Sequence, residues 1–334
     1  MIWALSGAST IASQYMIGAL RAQEGGTVRW VVSGSEDHAR RYAQSHDIPH
    51  SGTDLAAALE DPAVEAVYIS STNEKHHAQA MAAIAAGKHV LCEKPLALSV
   101  AEAAEMIAAA RAAGVTLGVN HHLRHAGSHR AIREAIASGR LGRILSLRVF
   151  HAVHLPEHLR GWRLDNPAAG GGVIPDITVH NADTVRYLLQ EDPASVIAES
   201  AVSGMGQGVE DSAMSVWSMP SGAMVFSHES FTHPHTTSGL EVHGTEGSLI
   251  ARDVMAQDPK GALELITAAG RSALPFDTTS LYETAVRRFE AAARDGREAS
   301  ASGTDGLKSL MIALAVRDAA QSGTRQSLDY GVAS

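Results

Sequence analysis

The chain has 334 residues, of which 45% are apolar and 19% charged, and its formal net charge is -9. That length suits two domains with real hydrophobic cores and excludes a disordered chain. The acidic balance excludes a general attraction to nucleic acid or to an anionic membrane, and no stretch is long and apolar enough to span a bilayer. Cys92 is the only cysteine, so an internal disulfide is excluded and a reducing, cytoplasmic setting is expected. Within His89-Val90-Leu91-Cys92 it reads as a buried structural thiol. The N-terminus lacks the basic region, apolar stretch and cleavage site of a secretory signal, and 2–6 reads better as a first core strand.

In chain order, strands are expected at 2–6, 28–33, 67–70, 89–92 and 116–119, with helical patterns at 11–22, 75–86 and 99–113. Short strands that are apolar on both sides read as a parallel sheet covered by helices, and the alternation gives a doubly wound α/β domain. Gly87 and Gly114 each follow a helix and precede a strand, as helix C-caps do. The second half changes character. Residues 144–151 alternate, with Leu145, Leu147, Val149 and His151 on one face; 176–189 is an amphipathic helix. The runs 212–219 and 223–228 flank Pro220-Ser221-Gly222, and 240–243 and 248–251 flank Gly244-Thr245-Glu246-Gly247, which are hairpin signals. Helices at 281–294 and 305–320 close the chain. The expectation is an N-terminal Rossmann domain over 1–121 and an α+β domain over 122–334 with a large, mostly antiparallel open sheet.

The first turn reads Gly7-Ala8-Ser9-Thr10-Ile11-Ala12. It approximates G-x-G-x-x-G/A between a strand and a helix, with Ser9 in place of the middle glycine and Ala12 in place of the last. Gly7 can make the tight turn, the Ser9 hydroxyl could donate to a phosphate, and the following helix start offers free N–H groups. The second strand ends Val31-Val32-Ser33-Gly34, without the acid that accepts from a ribose 2′-OH in NAD binders. His38, Arg40 and Arg41 follow on the next helix. A hydroxyl with nearby cations suits a 2′-phosphate and therefore NADP, although Arg40 and Arg41 read equally as solvated surface charges.

Two further motifs carry chemistry. Glu93-Lys94-Pro95 follows an apolar strand, and Asp176 and His180 sit four apart after Gly170-Gly171-Gly172. Four residues is about one helical turn, so the carboxylate and imidazole share a face. Together they offer a cation, an acid–base imidazole and a carboxylate to orient it. Taken singly, each has a bland reading: a surface lysine, a satisfied helix histidine, and an aspartate favouring a helix start behind Pro175.

On these motifs the chain resembles the glucose–fructose oxidoreductase/inositol dehydrogenase (Gfo/Idh/MocA) family over nearly its whole length. Within it, Ser71-Thr72-Asn73-Glu74, Asn120-His121-His122-Leu123-Arg124, Gly161-Trp162-Arg163-Leu164 and 241–249 are similar to bacterial reductases of 1,5-anhydro-D-fructose. The resemblance implies an NADPH-dependent reduction of the C2 ketone of that sugar to 1,5-anhydro-D-mannitol. It implies Lys94, Asp176 and His180 as catalytic groups, with His180 the proton donor, and His151, Trp162 and Arg163 at the substrate. It implies cofactor contacts from 7–12, Ser33, Gly34, His38, Ser71, Thr72, Asn73, Glu74, His76, Glu93, Lys94, Asn120, Trp162, Arg163 and Tyr282. At His38 the related reductases carry arginine, so NADH is also a possible cofactor. The resemblance further implies a homo-oligomer through the second-domain sheet.

Rival readings are another sugar or inositol dehydrogenase, an NAD-dependent glycoside hydrolase on the same fold, and a non-catalytic sensor. A metal reading starts from His121, His125 and His129, spaced by four. No Cys ligand or H-E-x-x-H accompanies them, so no metal is expected.

Overall fold

Strands β1 (Ile2–Ser6), β2 (Thr27–Val32), β3 (His50–Gly52), β4 (Ala66–Ile69), β5 (His89–Cys92) and β6 (Leu117–Val119) pair in parallel in the order β3-β2-β1-β4-β5-β6. That is the doubly wound Rossmann order, which reverses direction between β1 and β4. The chain is described for residues 1–333 in a computed structural model. Trp3, Ala4, Leu5, Val67, Tyr68, Ile69, Val90 and Cys92 are buried, as expected for strands covered on both faces. The helices are α1 (Ile17–Arg21), α2 (Glu36–Ser45), α3 (Leu55–Glu60), α4 (His76–Ala85) and α5 (Val100–Ala113). A capping box between Ser99 and Glu102 starts α5, and Gly114 in the left-handed region ends it. The first helix differs from expectation. It opens with a π-helical turn, Ala12–Met16, ahead of α1.

The second sheet holds β7 (Ile144–Ala152), β8 (Ser195–Ala201), β9 (Ser212–Ser218), β10 (Met224–Ser230), β11 (Gly239–Gly244), β12 (Gly247–Arg252), β13 (Ala262–Thr267), β14 (Gly270–Ala273) and β15 (Gln326–Ser327). Their order is β14-β13-β12-β11-β7-β10-β9-β8-β15. All neighbours run antiparallel except β7 and β10, which are parallel. Both predicted hairpins form, β9–β10 and β11–β12. The inner face carries Leu147, Val149, Val196, Trp217, Val225, Val242, Leu249 and Leu265. The same core contains Ile132 and Ala135 of α6 (Gly127–Ala137) and Ala182, Val185 and Leu188 of α8 (Val179–Leu189). Each large side chain so buried stabilises by roughly 1.5–3 kcal/mol. Between these helices lies the single-turn α7 (Trp162–Asp165).

The helices α9 (Leu281–Arg294) and α10 (Gly303–Ser322) complete the chain. Here the expected domain assignment is corrected: Tyr282–Leu307 belongs to the first unit with Met1–His121, and only His122–Leu281 and Lys308–Ser334 make the second. The reason is packing on the parallel sheet. The Trp3 indole donates to Glu290 at 3.1 Å, the Phe289 ring lies 5.5 Å from that of Trp3, and Val119 N donates to Ala301 O at 2.9 Å. No helix among the described residues is long and apolar enough to cross a membrane.

Candidate cofactor and catalytic sites

In the first unit the expected cofactor residues collect at the carboxyl ends of the parallel strands, where open α/β sheets bind ligands. Gly7 sits at φ +118, and a Cβ there would lie 2.7 Å from Ser70 C and Ser71 N. Only glycine allows β1 and β4 to end this close together. Ser9, expected to offer its hydroxyl to a phosphate, instead donates to Ser70 Oγ at 2.7 Å and accepts from Ala12 N at 3.2 Å. The closeness of the two strand ends takes up that hydroxyl. Tyr42 of α2 donates to Ser9 O at 2.9 Å and holds the turn from behind.

At the end of β2, Ser33 Oγ and His38 Nδ1 lie 2.9 Å apart, and Ser35 caps α2. The region is exposed and carries no acid on the strand end. Arg40 is held by Asp37 on its own helix. Gly34 has open space around it.

At the end of β4, Ser71 donates to Gln79 at 2.7 Å and Thr72 to Glu74 at 2.6 Å. His76 is fully buried. Its Nδ1 lies 2.8 Å from Pro95 O and its Nε2 3.2 Å from Ser71 O. Burial pushes its imidazole below the usual pKa. The neutral ring carries one N–H, so it donates to one of these two carbonyls and packs beside the other. Glu93 is similarly braced, its Oε1 accepting from Tyr68 at 2.5 Å and from Asn120 Nδ2 at 2.6 Å. Lys94 follows at the half-buried end of β5. Tyr282 is buried and stacked on Tyr15, ring centroids 4.9 Å apart.

Among the described residues, three buried polar atoms on these strand ends have no protein partner: Ser6 Oγ, Asn73 Nδ2, a donor, and Asn120 Oδ1, an acceptor. Buried polar atoms are normally paired. A donor and an acceptor left open along the carboxyl edge, with the glycine turn beside them, fit a dinucleotide.

In the second unit, the triple glycine locks two segments together. Gly171 N donates to Asn166 O and Gly172 N to Arg163 O, at 2.9 and 2.8 Å. Gly172 lies at φ +110, and a Cβ would meet Glu210 Oε1 at 2.4 Å. That same Oε1 accepts from Ile174 N at 3.1 Å, so Glu210 caps the helix that carries the catalytic candidates. Gly172→Ala is expected to destabilise the protein by about 1–3 kcal/mol through left-handed strain and displacement of Glu210. Denaturant unfolding measures this, and an unchanged midpoint would contradict it.

Asp176 lies in a π-helical turn, Ile174–Thr178, and His180 is the second residue of α8. Arg163 of α7 brings its Nε to 3.3 Å from Asp176 Oδ2 and stacks its guanidinium 4.6 Å from the Trp162 ring centre. The expected pair Trp162–Arg163 and the expected carboxylate therefore meet. The His180 ring lies edge-on to His122 at 4.9 Å and 6.0 Å from His151. His122–His125 form a 3-10 turn and His129 lies in α6, so the spacing by four does not run along one α-helix. Among the described residues, no group of three or more His, Cys, Asp or Glu side chains is placed to hold a metal ion.

Residues 1–121 match the family model for the oxidoreductase family, NAD-binding Rossmann fold, and residues 129–250 match the GFO/IDH/MocA C-terminal domain. The 1,5-anhydro-D-fructose reductase of Ensifer adhaerens is 52% identical over 331 residues, covering 99% of each chain. The chain belongs to the Gfo/Idh/MocA family. Its relatives include D-xylose 1-dehydrogenase (NADP(+)) 2 of Haloferax volcanii, 30% identical over 98% of this chain and 100% of that one. Among solved structures, the aldose-aldose oxidoreductase of Caulobacter crescentus superposes with a TM-score of 0.91 at 24% identity, covering 98% and 99% of the two chains. Levoglucosan dehydrogenase in complex with NADH and L-sorbose superposes at 0.88 and 21% identity, over 100% of both. These structures share the fold.

As a Gfo/Idh/MocA protein the chain is an NAD(P)-dependent oxidoreductase. Several residues around its candidate sites were not singled out from sequence. Glu210 carries no motif, and its role depends on a contact with Gly172. Asp211 accepts from Ser203 N, Ser203 Oγ, Gly204 N, Met205 N and Gly206 N, which pulls its carboxyl down to about 2 and orders the loop whose Gln207 N donates to Leu164 O. The run Ser203-Gly204-Met205-Gly206 before an aspartate was the available signal.

Proposed function

We propose that this protein reduces the C2 ketone of 1,5-anhydro-D-fructose to 1,5-anhydro-D-mannitol, with NADPH as preferred reductant and His180 as proton donor. The reading rests on one observation above others: 52% identity across 99% of the chain with a reductase of that sugar, with Lys94, Asp176 and His180 all present. The nicotinamide nucleotide, when bound, supplies the hydride. Lys94 polarises the ketone oxygen, so negative charge develops against a fixed cation. His180 protonates that oxygen as it becomes an alkoxide. Asp176 orients the reacting group, and its Arg163 partner keeps the carboxylate fixed. His151, Trp162 and Arg163 contribute hydrogen bonds and ring surface to the sugar.

NADPH preference is supported by the acid-free end of β2 and by the Ser33–His38 pair, which offers a hydroxyl and an imidazole to a 2′-phosphate. Histidine in place of arginine, with Arg40 engaged by Asp37, weakens this contact, and NADH is accepted more slowly. Ser33→Asp is expected to move the ratio of specificity constants toward NADH by about tenfold or more, because one charged hydrogen bond separates the two cofactors. An unchanged ratio would remove Ser33 from the 2′ position.

The outer face of the second sheet carries Phe150 and Phe226, ring centroids 6.2 Å apart, with Val216 and Ile250 half-buried and Met214 and Met224 exposed. Such a face supports association of two copies through the sheet. Phe226→Glu is expected to shift the sedimentation coefficient to that of a smaller species; a wild-type monomer at working concentration would contradict the association.

The experiment for the function itself is NADPH oxidation against a panel of 1,5-anhydro-D-fructose, other keto-sugars and inosose, beside NADP+ reduction with xylose. A specificity constant for anhydrofructose well above the rest supports the reading. Preference for another member keeps the oxidoreductase and discards the substrate.

A further inference from the structure

The loop between β8 and β9 takes no part in the chemistry above, yet it is strongly ordered. It contains Gly204, Gly206 and Gly208, with Gly204 at φ +139 and Gly208 at φ +82. Glycine loses more conformational freedom on folding than any other residue, so such a loop does not order itself. One buried carboxylate orders it. Asp211 Oδ1 accepts from Ser203 N at 2.8 Å and from Ser203 Oγ at 2.6 Å. Its Oδ2 accepts from Gly204 N, Met205 N and Gly206 N at 3.0, 2.8 and 2.9 Å. Successive backbone N–H groups turned on one oxygen form a cradle for negative charge, and hydrogen bonds to an ionised acceptor are stronger than neutral ones. The Asp211 backbone is fixed separately. Its N–H donates to Ala201 O at 3.0 Å, and its carbonyl accepts from Phe231 N at 2.8 Å. The anchor thus belongs to the sheet, and the loop is gathered onto it.

The ordered loop reaches two segments that carry candidate site residues. Gln207 N donates to Leu164 O of α7 at 2.6 Å. Three residues on, Glu210 O accepts from Val173 N at 3.0 Å and Glu210 Oε1 from Ile174 N at 3.1 Å, where the turn bearing Asp176 begins. The two segments differ in what else holds them. The π-turn and α8 bury Ile174, Val179, Ala182, Val185 and Leu188 in the core, so they keep their place without the loop. By contrast, α7 is a single turn of four residues, too short to persist alone, and of its residues only Leu164 is buried. Two consecutive carbonyls tie its backbone to neighbouring segments: Arg163 O accepts from Gly172 N, and Leu164 O from Gln207 N.

We propose that Asp211 is a positioning residue for the sugar: by ordering the β8–β9 loop it holds α7 where Trp162 and Arg163 meet the substrate, and so sets sugar affinity rather than the rate of the chemical step. This rests on the reading that places Trp162 and Arg163 at the sugar. The Arg163 guanidinium lies 4.6 Å from the Trp162 ring centre and its Nε 3.3 Å from Asp176, so a displaced α7 moves ring and cation together. Asp176 and His180 stay on a packed helix, and reduction proceeds once the sugar is bound.

The test is steady-state kinetics of Asp211→Asn at saturating NADPH, with the panel sugar that is turned over best. Asparagine keeps the shape but removes the charge and turns an amide NH2 toward backbone donors. KM for the sugar is expected to rise by about tenfold or more, the loss of one charged contact to the substrate. At saturating sugar, kcat is expected to stay within about threefold, because binding common to ground and transition states is what is lost. Gly206→Ala disturbs the same loop without touching the carboxylate, since its Cβ would lie 2.1 Å from Val209 O. It is expected to move KM the same way, and it serves if the asparagine variant does not fold. A smaller folded fraction alone would lower kcat and leave KM unchanged. Independently of activity, amide hydrogen exchange in Asp211→Asn is expected to quicken over 203–210 and 161–166 but not over 179–189. An unchanged KM in a folded variant, a loss confined to kcat, or faster exchange in the loop but not in α7 would overturn the proposal. Arg163→Ala separates it from the reading beneath. A raised KM in Arg163→Ala with a native KM in Asp211→Asn removes this inference alone; a native KM in both removes Arg163 from the sugar as well.

Discussion

His180→Ala is expected to lower kcat by roughly 10²–10⁴-fold, the range for loss of a positioned general acid. His180 is buried at the start of α8 with the His122 and His151 rings against it, so its ring is held in one place. A positioned acid acts in the transition state and much less in the ground state, so the loss falls on kcat and kcat/KM together. Cofactor affinity is expected to change by only a few-fold, since the dinucleotide contacts proposed above come from the strand ends of the first unit. Steady-state kinetics at saturating NADPH, with cofactor binding followed by fluorescence, separates these quantities. Unchanged kcat would end the assignment; a loss confined to KM would make His180 a binding residue.

Lys94→Ala comes next in expected size, a loss of roughly 10²–10³-fold in kcat, comparable with removal of one preorganised donor to a developing oxyanion. Lys94 follows Glu93, whose carboxylate is fixed by Tyr68 and Asn120, and precedes Pro95, whose carbonyl is held by buried His76. The lysine backbone is thus clamped on both sides. Lys94→Arg keeps the charge but not the compact ammonium, and is expected to recover only a small part of the rate. Full activity in Lys94→Ala would remove electrostatic stabilisation by this side chain from the account.

The first sheet was legible because its strands are apolar on both faces and separated by Ala-rich helices, a pattern few other arrangements share. β3 was not, since His50-Ser51-Gly52 has neither length nor apolar character; it forms because β2 offers an open edge. The edge strands β14 and β15 escaped for the same reason, whereas β13 is an inner strand whose alternating Leu263 and Leu265 were there to be read and were overlooked. The π-turns at Ala12–Met16 and Ile174–Thr178 were invisible, because one turn is too short to separate a wider helical period from the usual 3.6 residues. The return of Tyr282–Leu307 to the first unit depends on contacts such as Phe289 against Trp3, which no local pattern announces.

Among the site residues, motifs on strand and helix ends were readable, while their partners were not. Gly7 could be read as a tight turn, but not the hydroxyl pair of Ser9 and Ser70 that the close strand ends create. His76 and Glu93 read as cofactor contacts because they flank the right strands; the carbonyls beside His76 and the donors on Glu93 were not readable.

The central claim is hydride delivery to the C2 ketone of 1,5-anhydro-D-fructose. It is tested most directly by a reaction with NADPH deuterated at the nicotinamide C4, the product being examined by NMR. The account predicts 1,5-anhydro-D-mannitol with deuterium on C2. A product without deuterium, or one labelled at another carbon, would contradict it.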